Sequence, residues 1–446
     1  MHQSLPPGPS YPAALQLLGF WKRPLPYLER MRARYGKRFT LRLPLTPPLV
    51  HISDPAQVKQ IYTAPADVLH PGAGARILEP VVGKRSVILL DEAEHMEQRK
   101  LMLPAFHGER MERLTALVED VTEREVASWA GESEVELHPR MQALTLEIIL
   151  RAVFGLDPGP RLDAMRERLA SMLAFGDNPM SLFGQPPGWL LPLFERLPMT
   201  AGFFRDQARV DELLFELIDE RRREAAERDD VLSMLLEASH TDGSPMSRDE
   251  IRDELLTLLV AGHETTASAL AWAFERLVGN RAVLDRLVDE VADGDGDAYL
   301  TATIQETLRD RPVLPNTAPR AVEKPIEVGG WHYEPGVALV ANAYLVHHDA
   351  DIYPDPYSFR PERFLDDPPG TYTWIPFGGG RRRCLGASFA LLEMRVVIRS
   401  ILNAYEVRRA RSGPELARRR AITISPERGS RIALGARSRT PEAVAA

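Results

Sequence analysis

Cys384 is the only cysteine in the 446 residues. It lies in the stretch Phe377-Gly378-Gly379-Gly380-Arg381-Arg382-Arg383-Cys384-Leu385-Gly386. Glycine has no Cβ, so the backbone can turn tightly and approach a neighbour closely. Arginine lowers the pKa of a nearby thiol, and the thiolate is the form that binds metal. The stretch reads as a loop presenting one sulfur to something large and flat. The plainer alternative is a buried cysteine beside a solvated basic run. A second stretch, Ala261-Gly262-His263-Glu264-Thr265-Thr266, breaks helix rules inside an apolar segment. Gly262 costs about 1 kcal/mol against alanine. His263 and Glu264 need partners if buried, and Thr265 can bond back to a carbonyl and bend the helix. A glycine there would admit a flat ligand, and an acid beside a hydroxyl can hand on protons. The alternative is a narrow solvated stripe.

The elements that must carry these stretches follow from the pattern. Ser247 and Glu250 form a capping box, opening a helix from about Arg248 to Val278. At 1.5 Å per residue it would be about 46 Å long. It is apolar on nearly every side between Leu255 and Ala273, which puts it through the middle of the molecule. The cysteine loop would lead into a helix from Leu385 to Asn403. Further helices are predicted at Tyr27–Tyr35, Glu92–Trp129 with a break near Pro104 and Gly108, Leu137–Gly155, Arg161–Phe175, Gln207–Glu227, Arg281–Val291 and Ala298–Asp310. Asp54 and Pro55 open another. Strands are expected in parts of 36–63 and 320–345, with a closing hairpin over Ile422–Leu434. Residues 1–25 form a Pro-rich lead-in. The apolar, irregular segment Asp177–Arg205, with Trp189 at its centre, reads as a lid over a binding site. The fold class is mainly α with a smaller antiparallel β portion, in one domain over 1–446.

Composition narrows the partners. Hydrophobic residues are 44% and charged residues 26%, enough for a large core, and the net charge of −8 gives no reason to expect nucleic acid. One cysteine excludes an internal disulfide and suits a reducing compartment. No run reaches the roughly 20 apolar residues of a membrane span, and no signal peptide is visible. The expectation is a soluble cytoplasmic monomer with no transmembrane anchor.

Four segments together resemble the cytochrome P450 superfamily, the haem-thiolate monooxygenases. The cysteine loop matches Phe-Gly-x-Gly-x-Arg-x-Cys-x-Gly at Phe377, Gly378, Gly380, Arg382, Cys384 and Gly386. Ala261–Thr266 matches (Ala/Gly)-Gly-x-(Asp/Glu)-Thr-(Thr/Ser), Glu306 and Arg309 match Glu-x-x-Arg, and Pro361-Glu362-Arg363-Phe364 matches the segment between that pair and the cysteine. The resemblance covers most of the chain.

It implies a P450 fold with haem b held between the central helix and the cysteine loop. Cys384 would be the axial ligand of the iron, with Phe377 packed near the sulfur and Gly378, Gly380 and Gly386 letting the loop pass beneath the porphyrin. His95, Arg99, Arg320 and Arg382 would hold the two propionates, and Ala261 would face the haem. Glu264 and Thr265 would be catalytic, delivering protons to oxygen. Glu306, Arg309 and Arg363 would brace the loop from behind. His348 departs from the family's usual His-Arg-Asp.

The activity implied is insertion of one oxygen atom of O2 into a hydrophobic substrate such as a fatty acid, terpenoid, steroid or aromatic. Pocket walls would come from Gly72–Val87, the Asp177–Arg205 segment, Leu258, Leu314, Thr317 and Ala318, with Arg76 or Arg85 available to a carboxylate. No flavin or iron–sulfur segment is visible. Electrons would come from a ferredoxin or flavodoxin-type donor with its reductase, docking on Arg381, Arg383, Arg395, Arg399 and Lys100. The competing readings are a peroxide-driven or non-oxygenating haem-thiolate enzyme, a haem sensor, and a cysteine hydrolase.

Overall fold

The structure, a computed structural model, describes residues 5–437 apart from 107–108, 179–180, 182–190, 199, 225–227 and 295. The central helix runs Arg248–Gly279, 32 residues, or about 48 Å. Ser247 accepts the N–H of Glu250, and Glu250 accepts the N–H of Ser247. Its buried residues lie on all sides of the axis, because other elements surround it. Helices Leu137–Ala152, Ala298–Asp310 and Ala387–Ala404 and strand Thr423–Pro426 all pack on it.

Gly262 lies at the crossing with Leu137–Ala152. A Cβ there would stand 2.7 Å from Ile149 Cδ1. The glycine is needed for close helix–helix approach, so the expectation that it admits a flat ligand is corrected. The side chain facing open space midway along the helix is Ala261, which is exposed between half-buried Val260 and Gly262.

The expected helices form, with ends moved by a few residues. The lead-in also carries a helix, Ala13–Lys22, before Pro24–Tyr35. Its stripe was masked by prolines on both flanks. The larger sheet runs in the order Arg38–Leu41, Leu49–Ile52, Ala338–Ala341, Arg320–Val322, Leu69–His70. One of its pairings, Leu49–Ile52 with Ala338–Ala341, is parallel. Every other strand pairing among the described residues is antiparallel.

The closing hairpin is corrected. Ala417–Arg420 pairs with Thr423–Pro426, whereas Arg431–Ala436 joins Glu134–Glu136 and Tyr405–Arg409. Both pairings satisfy the same alternation of residues, and only long-range partners distinguish them. Part of the expected lid, residues 179–180, 182–190 with Trp189, and 199, lies outside the described residues. The described parts include a short 3-10 turn at Ala174–Asp177 and the start of the helix Ala201–Arg223.

Candidate active site

The cysteine loop turns on two glycines with positive φ, Gly378 at 68° and Gly380 at 64°, a conformation costly for any residue with a Cβ. A Cβ on Gly379 would meet the Tyr62 ring at 2.4 Å, and one on Gly380 the Tyr62 carbonyl at 2.3 Å. The glycine run is therefore set by tight packing against helix Pro55–Thr63 as well as by the turn. Cys384 N–H donates to Phe377 O at 3.0 Å, closing the loop.

The Cys384 thiol is solvent-accessible, yet desolvation by the surrounding protein pushes its pKa up. Both hold for a sulfur lining an internal cleft. The Gly386 N–H and the charges of Arg99 and Arg383 act in the opposite direction, favouring a thiolate.

A cluster of cations lies alongside. His95 and Arg99 sit four residues apart on helix Glu92–Met102. Arg320 opens a strand and lies over the Tyr62 ring, 4.9 Å from its centroid. Arg382 bonds to Asp91 Oδ1 at 2.6 Å, to Val87 O at 3.1 Å and to Leu90 O. Burial, then the charges of Arg382, Arg99 and Arg320, depress the His95 pKa to about 3. Burial, joined by the charges of Arg320 and Arg99 and opposed by Asp91, lowers the Arg382 pKa to about 10. Arg99 has no hydrogen-bond or ion-pair partner among the described residues.

Like charges that depress one another inside a protein are costly unless an anion joins them. A group with two carboxylates and a thiolate-binding metal fits this set of donors, so the residues present suit haem.

On the other wall, Ala261 and Thr265 line the accessible face of the central helix. Thr265 Oγ1 donates to Ala261 O at 2.6 Å. Glu264 points away from that face into a polar network. Its Oε1 lies 3.1 Å from His138 Nε2 and accepts from Ser268 Oγ at 2.8 Å, and its Oε2 accepts from Gln142 Nε2 at 2.7 Å. Arg420 NH1 stands 3.7 Å from Oε2 and its Nε pairs with Asp177 at 2.8 Å. Burial alone would raise the Glu264 pKa, but His138 and Arg420 outweigh it and hold it at about 2. Side-chain exposure rises outward, from 15% at Arg420 to 35% at Asp177 and 51% at Arg418. His263 is buried on Thr145, Nδ1 to Oγ1 at 3.0 Å, with its pKa lowered by burial to about 4.

Behind the loop, Glu306 Oε2 and Oε1 accept from Arg309 Nε at 2.6 Å and NH2 at 2.9 Å. Arg363 Nε joins Glu306 at 3.2 Å. Arg309 NH1 also donates to His347 O and Pro356 O, each at 2.8 Å. His347 Nε2 accepts the Ile375 N–H at 2.8 Å, two residues before Phe377. The brace thus reaches the cysteine loop through His347. At the departure site, His348 Nε2 lies 3.3 Å from Asp310, and Asp349 pairs with Arg32 and Lys37. That contact is structural and is made with histidine.

Of the pocket and docking candidates, Arg85 is taken by Asp249 at 3.2 Å and Arg399 by Asp297, which corrects both as free cations. Arg76, Arg381, Arg383 and Lys100 are exposed. Sequence reasoning missed Asp91, His138, Gln142, Arg420 and Tyr62. The four-residue spacing of His138 and Gln142 on one helix face was a visible signal, but nothing tied it to Glu264. It also missed Glu393, whose carboxyl oxygens have no hydrogen-bond partner among the described residues. Thr266 is its polar neighbour, and burial pushes its pKa up to about 8.

A thiol loop, a cluster of cations beside it and an accessible face midway along a long helix are the parts of a haem-thiolate site. The chain belongs to the cytochrome P450 family, whose model matches residues 5–430. It is 37% identical to cytochrome P450 135B1 of Mycobacterium tuberculosis H37Rv over 435 residues, 96% of this chain and 91% of that one. It is also 37% identical to cytochrome P450 135A1 of the same strain over 437 residues, 96% and 95%. The fold is shared with the cyanobacterial CYP120A1, solved with retinoic acid bound. The TM-score is 0.83 at 22% identity, covering 97% of this chain and all of that one. The protein is a haem-thiolate monooxygenase in its general class. No described helix is long and apolar enough to cross a membrane.

Proposed function

We propose that this monooxygenase oxidises a hydrophobic small molecule, a fatty acid, terpenoid, steroid or aromatic, using electrons from a separate ferredoxin or flavodoxin-type donor. Haem b, when bound, supplies the iron at which O2 is reduced and cleaved with two electrons and two protons. Cys384 Sγ would ligate its iron; burial raises the thiol's pKa, and the Gly386 N–H, Arg99 and Arg383 act against that rise. His95, Arg99, Arg320 and Arg382 would hold the propionates, Arg382 being shared with Asp91. Phe377, Gly378 and Ala261 would line the site that holds it.

The observation that carries the reading is the pair Glu264 and Thr265. Thr265 presents a hydroxyl to the cleft, and its neighbour is an ionised carboxylate on a chain of polar groups leading outward. A carboxylate held at about pKa 2 stores no proton at neutral pH. It passes protons instead, taking one from the His138–Arg420 side and turning it toward Thr265. Arg381, Arg383 and Lys100, exposed beside or near the loop, form the basic docking face, complementary to an acidic donor.

The absorbance of the reduced carbon monoxide complex tests the ligand, a far-red-shifted Soret band marking thiolate. Thr265→Ala should keep that band, still consume electrons, and release peroxide instead of product. Tightly coupled turnover in that variant would sink the relay. A reductase-driven rate no greater than a peroxide-driven one would sink the donor assignment.

A further inference from the structure

The first two helices carry a face that the oxygenation chemistry does not use. Between Ala13–Lys22 and Pro24–Tyr35 lies a shallow groove of about 490 Å³, lined in part by Tyr11, Leu15, Leu18, Lys22, Arg30 and Arg34. Leu15 and Leu18 are 53% and 50% exposed, and Tyr11 37%. Leu15, Leu18 and Lys22 are spaced at three and four residues, so they share one helix face.

The charge of this region runs against that of the chain. Residues 13–35 hold Lys22, Arg23, Arg30, Arg32 and Arg34 against the single acid Glu29, in a protein of net charge −8. The two groups that would complicate the face turn inward. Glu29 accepts the Tyr344 hydroxyl, and Arg32 donates to Leu345 O at 2.7 Å and pairs with Asp349. Lys22, Arg23, Arg30 and Arg34 remain outward and exposed.

Exposed leucines and an aromatic rimmed by unopposed cations form the pattern of a surface that rests on a bilayer. The apolar groups enter the headgroup boundary while the cations meet anionic lipid. We propose that this face docks the protein peripherally on an anionic lipid surface, without any spanning segment. The hairpin Ala417–Pro426 packs against both helices, and its Ala421 N–H donates to Gly176 O at 2.7 Å. The docking face is thereby tied to the turn that follows helix Pro160–Leu173. The proposal holds whatever the substrate.

The test uses the full haem-loaded chain and sedimentation with vesicles of phosphatidylcholine alone or of equimolar phosphatidylcholine and phosphatidylserine. The protein should sediment with the mixed vesicles at low salt, be released as salt rises, and stay in solution with phosphatidylcholine alone. Leu15→Asp with Leu18→Asp should abolish binding. Glutamine at Lys22, Arg23, Arg30 and Arg34 should weaken it, by roughly fivefold per cation removed. The carbon monoxide spectrum should be unchanged in both variants, because every altered side chain is exposed. Equal sedimentation of wild type and variants, or none with mixed vesicles, overturns the proposal. So does sedimentation without vesicles that the leucine substitutions abolish, since the face would then pair copies of this chain.

Discussion

Two carboxylates, half-buried Glu264 and buried Glu306, each sit among cations, yet they are built for different ends. The Glu306 side chain is fully buried, as is that of Arg309. Arg309 spends its remaining donors on backbone carbonyls. Nothing in that set can change protonation or move without opening the fold. Glu264 is 19% exposed. Its partners are four side chains from three elements, and one of them, Arg420, continues outward to Asp177. The contrast separates a clamp from a conduit. A buried ion pair fastened to backbone holds position, while one fastened to side chains that reach solvent can pass charge.

The largest effect that could break this contrast is expected at the clamp. Arg309→Ala leaves Glu306 charged and buried, at a cost of about 3–5 kcal/mol. Soluble yield and haem content should collapse. A folded, haem-replete Arg309→Ala protein of normal thermal stability would remove the distinction.

At the conduit, Glu264→Gln should leave haem content and substrate binding near normal. Its kcat should drop by roughly a hundredfold, and stopped-flow turnover with a saturating donor reads this. A fall in haem content instead would make Glu264 a second clamp.

The conduit also sets a pH dependence. The folded pKa of Glu264 is depressed to about 2 from 4.5. Its contribution to stability is therefore present above about pH 4.5 and lost as pH falls toward 2. Glu393 behaves oppositely, because its folded pKa is raised from 4.5 to about 8. The stability from its neutral form is full below about pH 4.5 and is lost as pH rises through 8. Urea titrations across this range should show Glu393→Gln flattening the alkaline loss and Glu264→Gln flattening the acid one.

The smallest effect is expected at the outer end of the conduit. Arg418→Gln should change stability by less than about 0.5 kcal/mol, with at most a mild slowing of turnover. An effect there as large as at Glu264 would mean that protons enter by a single obligatory path.

Local chemistry made much of this legible. Ser247 and Glu250 announced the start of the central helix, Asp54 accepted the Gln57 N–H as its cap position requires, and the glycine–arginine run marked the cysteine loop. These signals lie within a few residues of one another, so sequence alone determined the long helix, the thiol loop and the family. The tertiary structure decided what distant residues share. It gave Gly262 to Ile149 rather than to a ligand, and paired Arg85 with Asp249 and Arg382 with Asp91. It also turned Glu264 toward His138 and Arg420, residues 126 and 156 positions away in the chain. The physical reason is that a buried charge takes whichever partner packing brings within about 3–4 Å, and sequence spacing says nothing about that choice.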